Sequence, residues 1–364
     1  MRRIAARKIG VEEELLLVHP DDGRPLALSG RALADGHSDH LQAELQQEMI
    51  EIGSEPVEDL GALRTSLLRH RRMADDRARA VGARTAAIAS SPLPIEPHRT
   101  RDERYDWMAE HFGVTARTMV CGCHVHVDVE SREEGVAVLD RIRVWLPVLT
   151  ALSADSPFHE GADTGYASYR SQIWSRWPSA GPLPVFGSVE ALDAFERDLL
   201  STGVLLDRGM LYFDARLSSR YPTIEVRVAD VCMDLEDTVT IAALTRALVH
   251  TAAAEWRSGG IPSPLPAAAL RLASWRASAE GIGGSLVHPE SGEPSSARLV
   301  IDALVDHVGG ALDESGDRKS VISGVSEILR RGTGADRQRS VLSREGSLSA
   351  VMLDAVEVTA RGTR

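Results

Sequence analysis

The stretch IGVEEELLLV, residues 9–18, sets Glu12 and Glu14 two positions apart in a sequence typical of a β-strand. Successive side chains of a strand point to opposite faces, so residues two apart share a face. The other face is apolar and would carry Ile9, Val11, Leu15 and Leu17. We therefore predict an amphipathic strand over residues 7–18 that holds two carboxylates on one side of a sheet.

Two later stretches repeat this arrangement with other ionisable side chains. His124 and His126 lie two apart in CGCHVHVDV, and Glu225 and Arg227 lie two apart in TIEVRVADV. Apolar residues again occupy the alternate positions. If the three strands belong to one sheet, its polar face combines carboxylates, imidazoles and a guanidinium. Such a face is suited to binding metal ions and phosphates.

The spacing of the strands indicates the class of fold. Long helices separate them at irregular intervals, without the repeated strand, helix, strand order of a doubly wound fold. Their strict alternation is typical of an antiparallel sheet with one solvated face. We expect an α+β fold that forms one domain over residues 1–364, with the sheet core in about 7–232 and a helical part in about 234–361.

The segment 42–51 is ambiguous. As a helix it would line up Glu44, Glu48 and Glu51 on one face, whereas MIEI within it is typical of a strand. Both interpretations remain open at this point, and Glu44 cannot be distinguished from Glu48 as a site residue.

Other segments have clearer patterns. Leucine and alanine spacing predicts a helix over about 59–82, and a second helix is predicted over about 133–154. GMLYFDARL and the TIEVRVADVC stretch are predicted to pair as strands. Residues 155–187 are rich in Gly, Pro, Ser and aromatic residues and show little periodicity, so we interpret them as a functional loop that could act as a lid.

Composition limits the function. The 364 residues are 43% hydrophobic with a formal net charge of −12, which argues against wholesale binding of nucleic acid. The apolar runs are too short for a membrane span, and no secretory signal is recognised, so we expect a soluble, cytoplasmic protein. Cys121 and Cys123 form a C-x-C that predicts buried core residues, not a disulfide framework or a zinc site.

The common phosphate-binding loops are missing from the sequence. Lys319 and Ser320 lack the preceding glycine of a P-loop, and no G-x-G-x-x-G occurs. If ATP binds, metal ions and arginines must hold its phosphates. Glu12, Glu14 and Glu225 have the chemistry that Mg²⁺ prefers, and His124 would extend the candidates to Mn²⁺.

Six motifs in order resemble one known family. They are GVEEELLLV, GCHVHVDV, SYR followed by W, DARLSSRYPTIEVRVAD, SWRASAEGIGGSLV and GTGADRQR. Together they resemble the second family of glutamate-cysteine ligases, the YbdK-like carboxylate-amine ligases, over residues 7 to 361. The combination is specific, although each motif alone is weak.

This resemblance implies a fold and a set of site residues. The family is similar to glutamine synthetase in its catalytic sheet, which is curved and antiparallel and holds two or three divalent ions on its concave face. By motif position the implied metal ligands are Glu12, Glu14, Glu44, Glu51, His124 and Glu225. The residues implied to contact phosphate are Arg216, Arg220 and Arg227. Of these, Arg216 and Arg227 are also implied to act in catalysis. His126 is implied to lie near the nucleotide. Arg170, in SYR, is our candidate to bind a substrate carboxylate.

The resemblance also implies the reaction. With ATP and Mg²⁺ or Mn²⁺, such an enzyme converts the side-chain carboxylate of glutamate to an acyl phosphate and joins it to an amine. Cysteine is the acceptor by family default, and another amine is an open alternative. We expect small-molecule substrates, no nucleic-acid or membrane partner, and a homodimer.

Two other interpretations stay open. H-x-H near a strand end also begins the site of barrel-shaped metal-dependent amidohydrolases, although eight repeated strand and helix units are not found here. A catalytically inactive relative that serves as a nucleotide-binding or interaction protein is the other interpretation. Dependence of turnover on ATP would separate the ligase from the hydrolase.

Overall fold

The structure, a computed structural model, describes residues 6–34 and 40–362. Its strands are β1 (Ile9–Val18), β2 (Leu41–Ala43), β3 (Met49–Gly53), β4 (Arg84–Ala86), β5 (Gly122–Asp128), β6 (Phe158–His159), β7 (Ala162–Asp163), β8 (Ala215–Leu217), β9 (Thr223–Asp230), β10 (Ser285–Val287) and β11 (Pro294–Ser296). The α-helices are α1 (Ser29–Ala32), α2 (Leu60–Ala80), α3 (Glu103–Phe112), α4 (Arg132–Ile142), α5 (Leu146–Leu152), α6 (Tyr169–Trp174), α7 (Val189–Ser201), α8 (Leu235–Arg257), α9 (Ala267–Glu280), α10 (Ala297–His307), α11 (Gly309–Ser315), α12 (Arg318–Arg331), α13 (Gly334–Glu345) and α14 (Leu348–Thr359).

One seven-stranded sheet organises the N-terminal two thirds of the described chain. Its strand order is β2-β3-β1-β5-β9-β8, and β4 pairs with the end of β1. All of these pairings are antiparallel. Beyond β9 the chain is helical except for the small hairpin β10-β11. The predicted α+β class with a mainly antiparallel sheet is confirmed.

The register of this sheet aligns its ionisable residues across neighbouring strands. Glu12 of β1 lies opposite His124 of β5, and His126 of β5 lies opposite Glu225 of β9. On the other side of β1, Glu14 lies opposite Glu51 of β3. Directly opposed residues share one face of a sheet, so these side chains form a single polar face.

The other face of the sheet packs against helices. Ile9, Val11 and Val125 are at most 1% exposed and join residues of α2, α4, α5 and α8 in the largest hydrophobic cluster. Cys121 and Cys123 are buried and unpaired, as their alternation with the histidines predicts. Among the described residues, no helix is both long and apolar enough to cross a bilayer.

The helix predicted over 133–154 is two helices, α4 and α5. Pro147 lies in the first turn of α5. Proline has no N–H, and its ring collides with the carbonyl four residues earlier, so a continuous helix cannot run through this position. The chain therefore turns between Ile142 and Leu146 before the second helix begins.

The structure also decides two segments whose conformation the sequence left open or described as a loop. Residues 42–51 are not one helix. The ends of this segment lie in β2 and β3, which pair with each other, and residues 44–48 form the turn between them. Residues 155–187 are not a structureless loop, since they contain the hairpin β6-β7 and the helix α6. Phe158 and Ile173 in this segment are completely buried. Its role as a lid stays a prediction.

A buried ion pair fixes β1 to the helices behind it. Arg71 of α2 donates from Nε and Nη2 to the two oxygens of Glu13, over 2.7 and 2.6 Å. Arg71 Nη1 and Nη2 also donate to the carbonyls of Met233 and Cys232, and Thr238 of α8 donates to Glu13. Glu13 lies between Glu12 and Glu14, so this network holds the carboxylate pair in its orientation.

We predict that Arg71→Met lowers the free energy of unfolding by about 3–5 kcal/mol, because it leaves the Glu13 carboxylate buried without its partner. Chemical denaturation measures this change. Arg298→Gln removes the exposed pair with Asp302 and serves as the control, with an expected loss below about 1 kcal/mol. Equal losses in the two variants would contradict a structural role for the buried pair.

Candidate functional site

The polar face of the sheet contains one continuous group of carboxylates and imidazoles that could hold metal ions, here called the ligand cluster. Its members are Glu12, Glu14, Glu44, Glu51, His124, His126 and Glu225. The cluster contains three sets of three residues, and within each set the possible ligand atoms lie within 4.8 Å of one another. The sets are Glu14, Glu44 and Glu51; Glu12, Glu51 and His124; and Glu12, His126 and Glu225. Because Glu12 and Glu51 each belong to two sets, the three sets are adjacent.

The carboxylate end of the cluster is assembled by β1, β2 and β3. Glu14 and Glu51 are register partners, and Glu44 follows the last residue of β2. The backbone N–H of Gly122 donates to Glu14 Oε2 over 2.5 Å, and that of Leu45 donates to Glu44. The structure thus brings Glu44 into the cluster.

Glu48, the other candidate in this segment, lies elsewhere. Its Oε1 is 2.7 Å from His98 Nδ1, and both of its oxygens accept the backbone N–H of His98. The carboxylate is only 1% exposed and is fully occupied by this contact. The ambiguity left by the sequence is therefore resolved in favour of Glu44.

Burial, together with the crowding of these acids, raises their pKa values. Burial, and next the negative charge of Glu44, raise the pKa of Glu14 to about 8. Burial and then the charges of Glu12, Glu44 and Glu14 raise the pKa of Glu51 far above its usual value. Burial also raises the pKa of Glu44. A divalent cation would remove this repulsion, so the arrangement fits one.

At the imidazole end of the cluster, the pKa of the carboxyl group is lowered and not raised. Burial favours a high pKa for Glu12, but hydrogen bonds from His124 and then His126 outweigh it and keep the pKa low. Each imidazole has a nitrogen 3.4 Å from a Glu12 oxygen. Burial and then the charge of Arg227 lower the pKa of His124 to about 4, so this ring is neutral and can act as a ligand.

One buried nitrogen of the cluster is only weakly bonded. His126 Nε2 is buried, and within the described part of the chain it has only the long 3.4 Å contact with Glu12 Oε1. It belongs to a ligand set with Glu12 and Glu225, so His126 lies inside the cluster and not only beside it. The carboxylate oxygens suit Mg²⁺ or Mn²⁺, and the imidazole nitrogens extend the fit to Mn²⁺.

Two of the predicted arginines border the cluster at Glu225. Arg216 binds Glu225 with Nε at 2.8 Å and Nη2 at 3.1 Å, and Arg227 Nη1 donates to the same carboxylate. Burial would raise the pKa of Glu225, but Arg227 and then Arg216 hold it well below the usual value. Arg220, in contrast, lies in the exposed turn between β8 and β9 and is not brought into this group.

Arg170 lies beneath the cluster. It is 2% exposed, its Nη2 donates to the carbonyl of Arg227 over 3.2 Å, and its Nη1 is 3.8 Å from Asp230. A Cβ at Gly122 would meet Arg170 Nη2 at 2.3 Å, so only glycine fits between this guanidinium and β5. Contact with a substrate carboxylate would require Arg170 to give up these carbonyl bonds.

Sequence reasoning missed an aromatic wall beside Arg227. The guanidinium carbon lies 5.6 Å from the ring centre of Trp174 and 6.0 Å from that of Tyr212. Trp174 ends α6, and its place beside the sheet depends on tertiary packing. Tyr212 could have been found, because it precedes Arg216 by four residues and so falls on the polar face of an extended chain.

Comparison with known sequences identifies a family. Residues 8–354 match the family described as glutamate-cysteine ligase family 2. The Streptomyces coelicolor protein named "Putative glutamate--cysteine ligase 2" is 49% identical over 359 residues, covering 97% of this chain and 99% of that protein. A Paenarthrobacter aurescens protein named "Putative glutamate--cysteine ligase 2-1" is 50% identical over 370 residues, covering 99% of this chain and 96% of that protein.

Solved structures share the fold at low sequence identity. A glutamate-cysteine ligase from Francisella tularensis in complex with AMP is 13% identical with a TM-score of 0.66, covering 100% of this chain and 90% of that one. A bifunctional glutathione synthetase from Pasteurella multocida is 16% identical with a TM-score of 0.66, covering 99% and 53%. At these identities the likeness concerns the fold alone.

We predict that Mg²⁺ or Mn²⁺ binding at pH 7 releases protons. Glu14, with its pKa raised to about 8, is mostly protonated at this pH and must lose its proton to coordinate a cation, so affinity should rise as the pH approaches 8. Titration calorimetry in buffers of different ionisation enthalpy measures the released protons.

A pair of variants provides the control. Glu14→Gln should reduce the number of protons released. Glu12→Gln should weaken metal binding but leave the proton release unchanged, because Glu12 is already ionised. Binding heats that do not depend on the buffer would contradict the predicted protonation.

Proposed function

Because the chain belongs to glutamate-cysteine ligase family 2 and is an ATP-dependent ligase, we propose that it activates the side-chain carboxylate of glutamate and joins it to an amine. The observation that supports this proposal is the meeting of seven carboxylate and imidazole side chains with two guanidinium groups on one face of the sheet. Anionic substrates need both kinds of group, since cations neutralise phosphate and carboxylates hold the cations.

The first step of the proposed reaction makes the acid reactive. A free carboxylate does not react with an amine, because its leaving group would be oxide. In the proposal, a glutamate side-chain oxygen attacks the γ-phosphorus of ATP, the bond to the β-phosphate oxygen breaks, and ADP and an acyl phosphate result. Divalent ions held by the ligand cluster would neutralise charge on the transferring phosphoryl group.

The residues of this chain have separate tasks in the proposal. Arg216 and Arg227 contact phosphate oxygens, a role supported by their adjacency at Glu225. His126, a member of the ligand cluster, lies near the nucleotide, whereas Arg220, exposed in its turn outside the cluster, is given no phosphate contact. Arg170 binds the carboxylate of the acid substrate. Nucleotide binding is also supported by the AMP found in the Francisella ligase.

In the second step an amine attacks the acyl carbon, inorganic phosphate leaves, and the nitrogen loses a proton to give an amide. Water must be excluded, because it would hydrolyse the acyl phosphate. We propose that residues 155–187 contribute to this exclusion, since Trp174 of that segment already covers Arg227.

The ATP requirement leads us to place the reaction in the cytoplasm.

Cysteine is the proposed acceptor, which would make γ-glutamylcysteine the product. The support is the name of the relatives, and a different amine is the alternative. The test is ADP release with glutamate, ATP and Mg²⁺ against a panel of amines, with mass detection of the amide. An amide formed with cysteine alone supports the proposal. Amide formation only with another amine would reassign the acceptor, and no ADP with any pair would favour an inactive nucleotide binder.

The hydrolase alternative has little support in this fold. A barrel amidohydrolase needs a ring of parallel strands, whereas the described sheet is open and antiparallel. A hydrolase would also turn over an amide without nucleotide, which the same assay can measure.

We predict that Glu12→Gln and Glu225→Gln each lower ligase turnover by about 10³-fold, because each removes a charged ligand from the place where negative charge is transferred. Steady-state ADP release measures the effect, and circular dichroism checks that the fold is intact. The control is Glu236→Gln, an exposed acid paired with Arg64, which should leave turnover nearly unchanged. Near-wild-type turnover in both site variants would refute the proposed site.

Gly122→Ala should lower turnover by roughly 10²-fold, because its Cβ would displace Arg170 Nη2, 2.3 Å away, and press on His124 Nε2 at 3.0 Å. Gly10→Ala is the matched control on the neighbouring strand, where the added Cβ meets only Ser54 Oγ at 4.0 Å. If the two variants had the same turnover, the close approach at Gly122 would be irrelevant to catalysis.

A further inference from the structure

A second group of metal-binding side chains lies outside the ligand cluster. It consists of His40, Glu55 and His70, here called the His40 group, whose ligand atoms lie within 4.8 Å of one another. None of the three belongs to the ligand cluster. His70 is on α2 next to Arg71, which binds Glu13 on the face of β1 away from the cluster. The group connects the residue before β2, the segment after β3, and α2.

Both imidazoles place Nε2 near one carboxylate oxygen. His40 Nε2 is 3.7 Å from Glu55 Oε1, and His70 Nε2 is 3.9 Å from the same atom. Two ligands of a tetrahedral zinc ion, each about 2.0–2.1 Å from the metal, are separated by about 3.4 Å. The observed separations therefore exceed those of a closed site by only a few tenths of an ångström. The two rings are stacked, with centres 4.6 Å apart and planes 17° apart, so one ring must turn before both Nε2 lone pairs can reach the same ion.

The remaining nitrogen of each ring has a partner of the type found behind metal ligands. His40 Nδ1 is 3.0 Å from the carbonyl of Gly53, and His70 Nδ1 is 3.4 Å from Ser66 Oγ. A hydrogen bond from Nδ1 fixes the tautomer that presents the Nε2 lone pair to a metal. Ser66 also donates to Glu55 Oε2 over 2.5 Å, which orients the carboxylate.

The protonation states suit a cation. Burial lowers the pKa of His70, which keeps this imidazole neutral near pH 7. Burial acts to raise the pKa of Glu55, but the Ser66 hydrogen bond and nearby positive charges bring it to about 2, so the carboxylate is ionised. Arg69 Nη2 contacts Glu55 Oε1 and occupies the place of a cation in this structure.

We propose that His40, Glu55 and His70 bind one zinc-type divalent ion, with water or an outside ligand in the fourth position. Two imidazoles and one carboxylate are the set that holds zinc in open sites. The ion would tie the residue before β2 and the segment after β3 to α2. These strands lead to Glu44 and Glu51, so the ion would stiffen the edge of the sheet that supports the ligand cluster. The proposal does not depend on the ligase reaction.

Equilibrium dialysis of the full chain against Zn²⁺, with Mg²⁺ in excess to compete at the ligand cluster, tests the site. Wild type should hold one more zinc ion per chain than His40→Gln and His70→Gln, whose affinity at this site should fall by more than about 100-fold. His40 is 37% exposed, so His40→Gln is the variant expected to fold normally if the buried His70→Gln does not. Zinc should raise the Tm of wild type but not of His40→Gln.

Two further variants sharpen the result. Arg69→Gln removes the side chain that competes for Glu55 Oε1, so it should bind zinc at least as tightly as wild type. His250→Gln is the matched control, because His250 pairs with Glu314 at 3.0 Å but belongs to no set of three ligands among the described residues. Equal zinc content in wild type and His40→Gln, or weaker binding in Arg69→Gln, would overturn the proposal.

Discussion

Mutual repulsion among acids on one side of a sheet is the constraint on which the site depends. Antiparallel register forces Glu14 against Glu51 and Glu12 against His124, and the turn after β2 adds Glu44. In a folded chain, burying these acids close together costs stability, as the pKa values of Glu14 and Glu51, raised first by burial and then by neighbouring acids, indicate. The apolar face of the same strands and the buried pair of Glu13 with Arg71 oppose that cost. The polar face is therefore prepared for cations.

The site divides into two electrostatic halves. At one end three acids lie together, and at the other Glu225 is enclosed by Arg216 and Arg227. The neutral ring of His124 stands between the halves and can bind metal without adding charge. This change of charge along the site suits a reaction that transfers a phosphoryl group from a nucleotide to a carboxylate. Cations held by the acids and the guanidinium groups would contact these anionic substrates from different sides.

Much of this site could be predicted from the sequence because strands have a period of two. The alternation in IGVEEELLLV, CGCHVHVDV and TIEVRVADV determines which side chains share a face, and the structure places those side chains together. Strand register and long-range contacts could not be predicted in this way, since they depend on packing between distant segments. Pairing of Glu13 with Arg71, the choice of Glu44 over Glu48, and the position of Trp174 over Arg227 therefore required the fold. Pro147 lies inside the segment predicted as one helix, and in the structure a second helix begins at this proline.

Anomalous diffraction from crystals soaked with Mn²⁺ and ATP tests the central claim most directly. The account predicts manganese peaks coordinated by Glu14, Glu44 and Glu51 and by Glu12 with His124, with nucleotide phosphates between these ions and Arg227. Peaks confined to other surfaces, or nucleotide bound with no metal near these carboxylates, would contradict it.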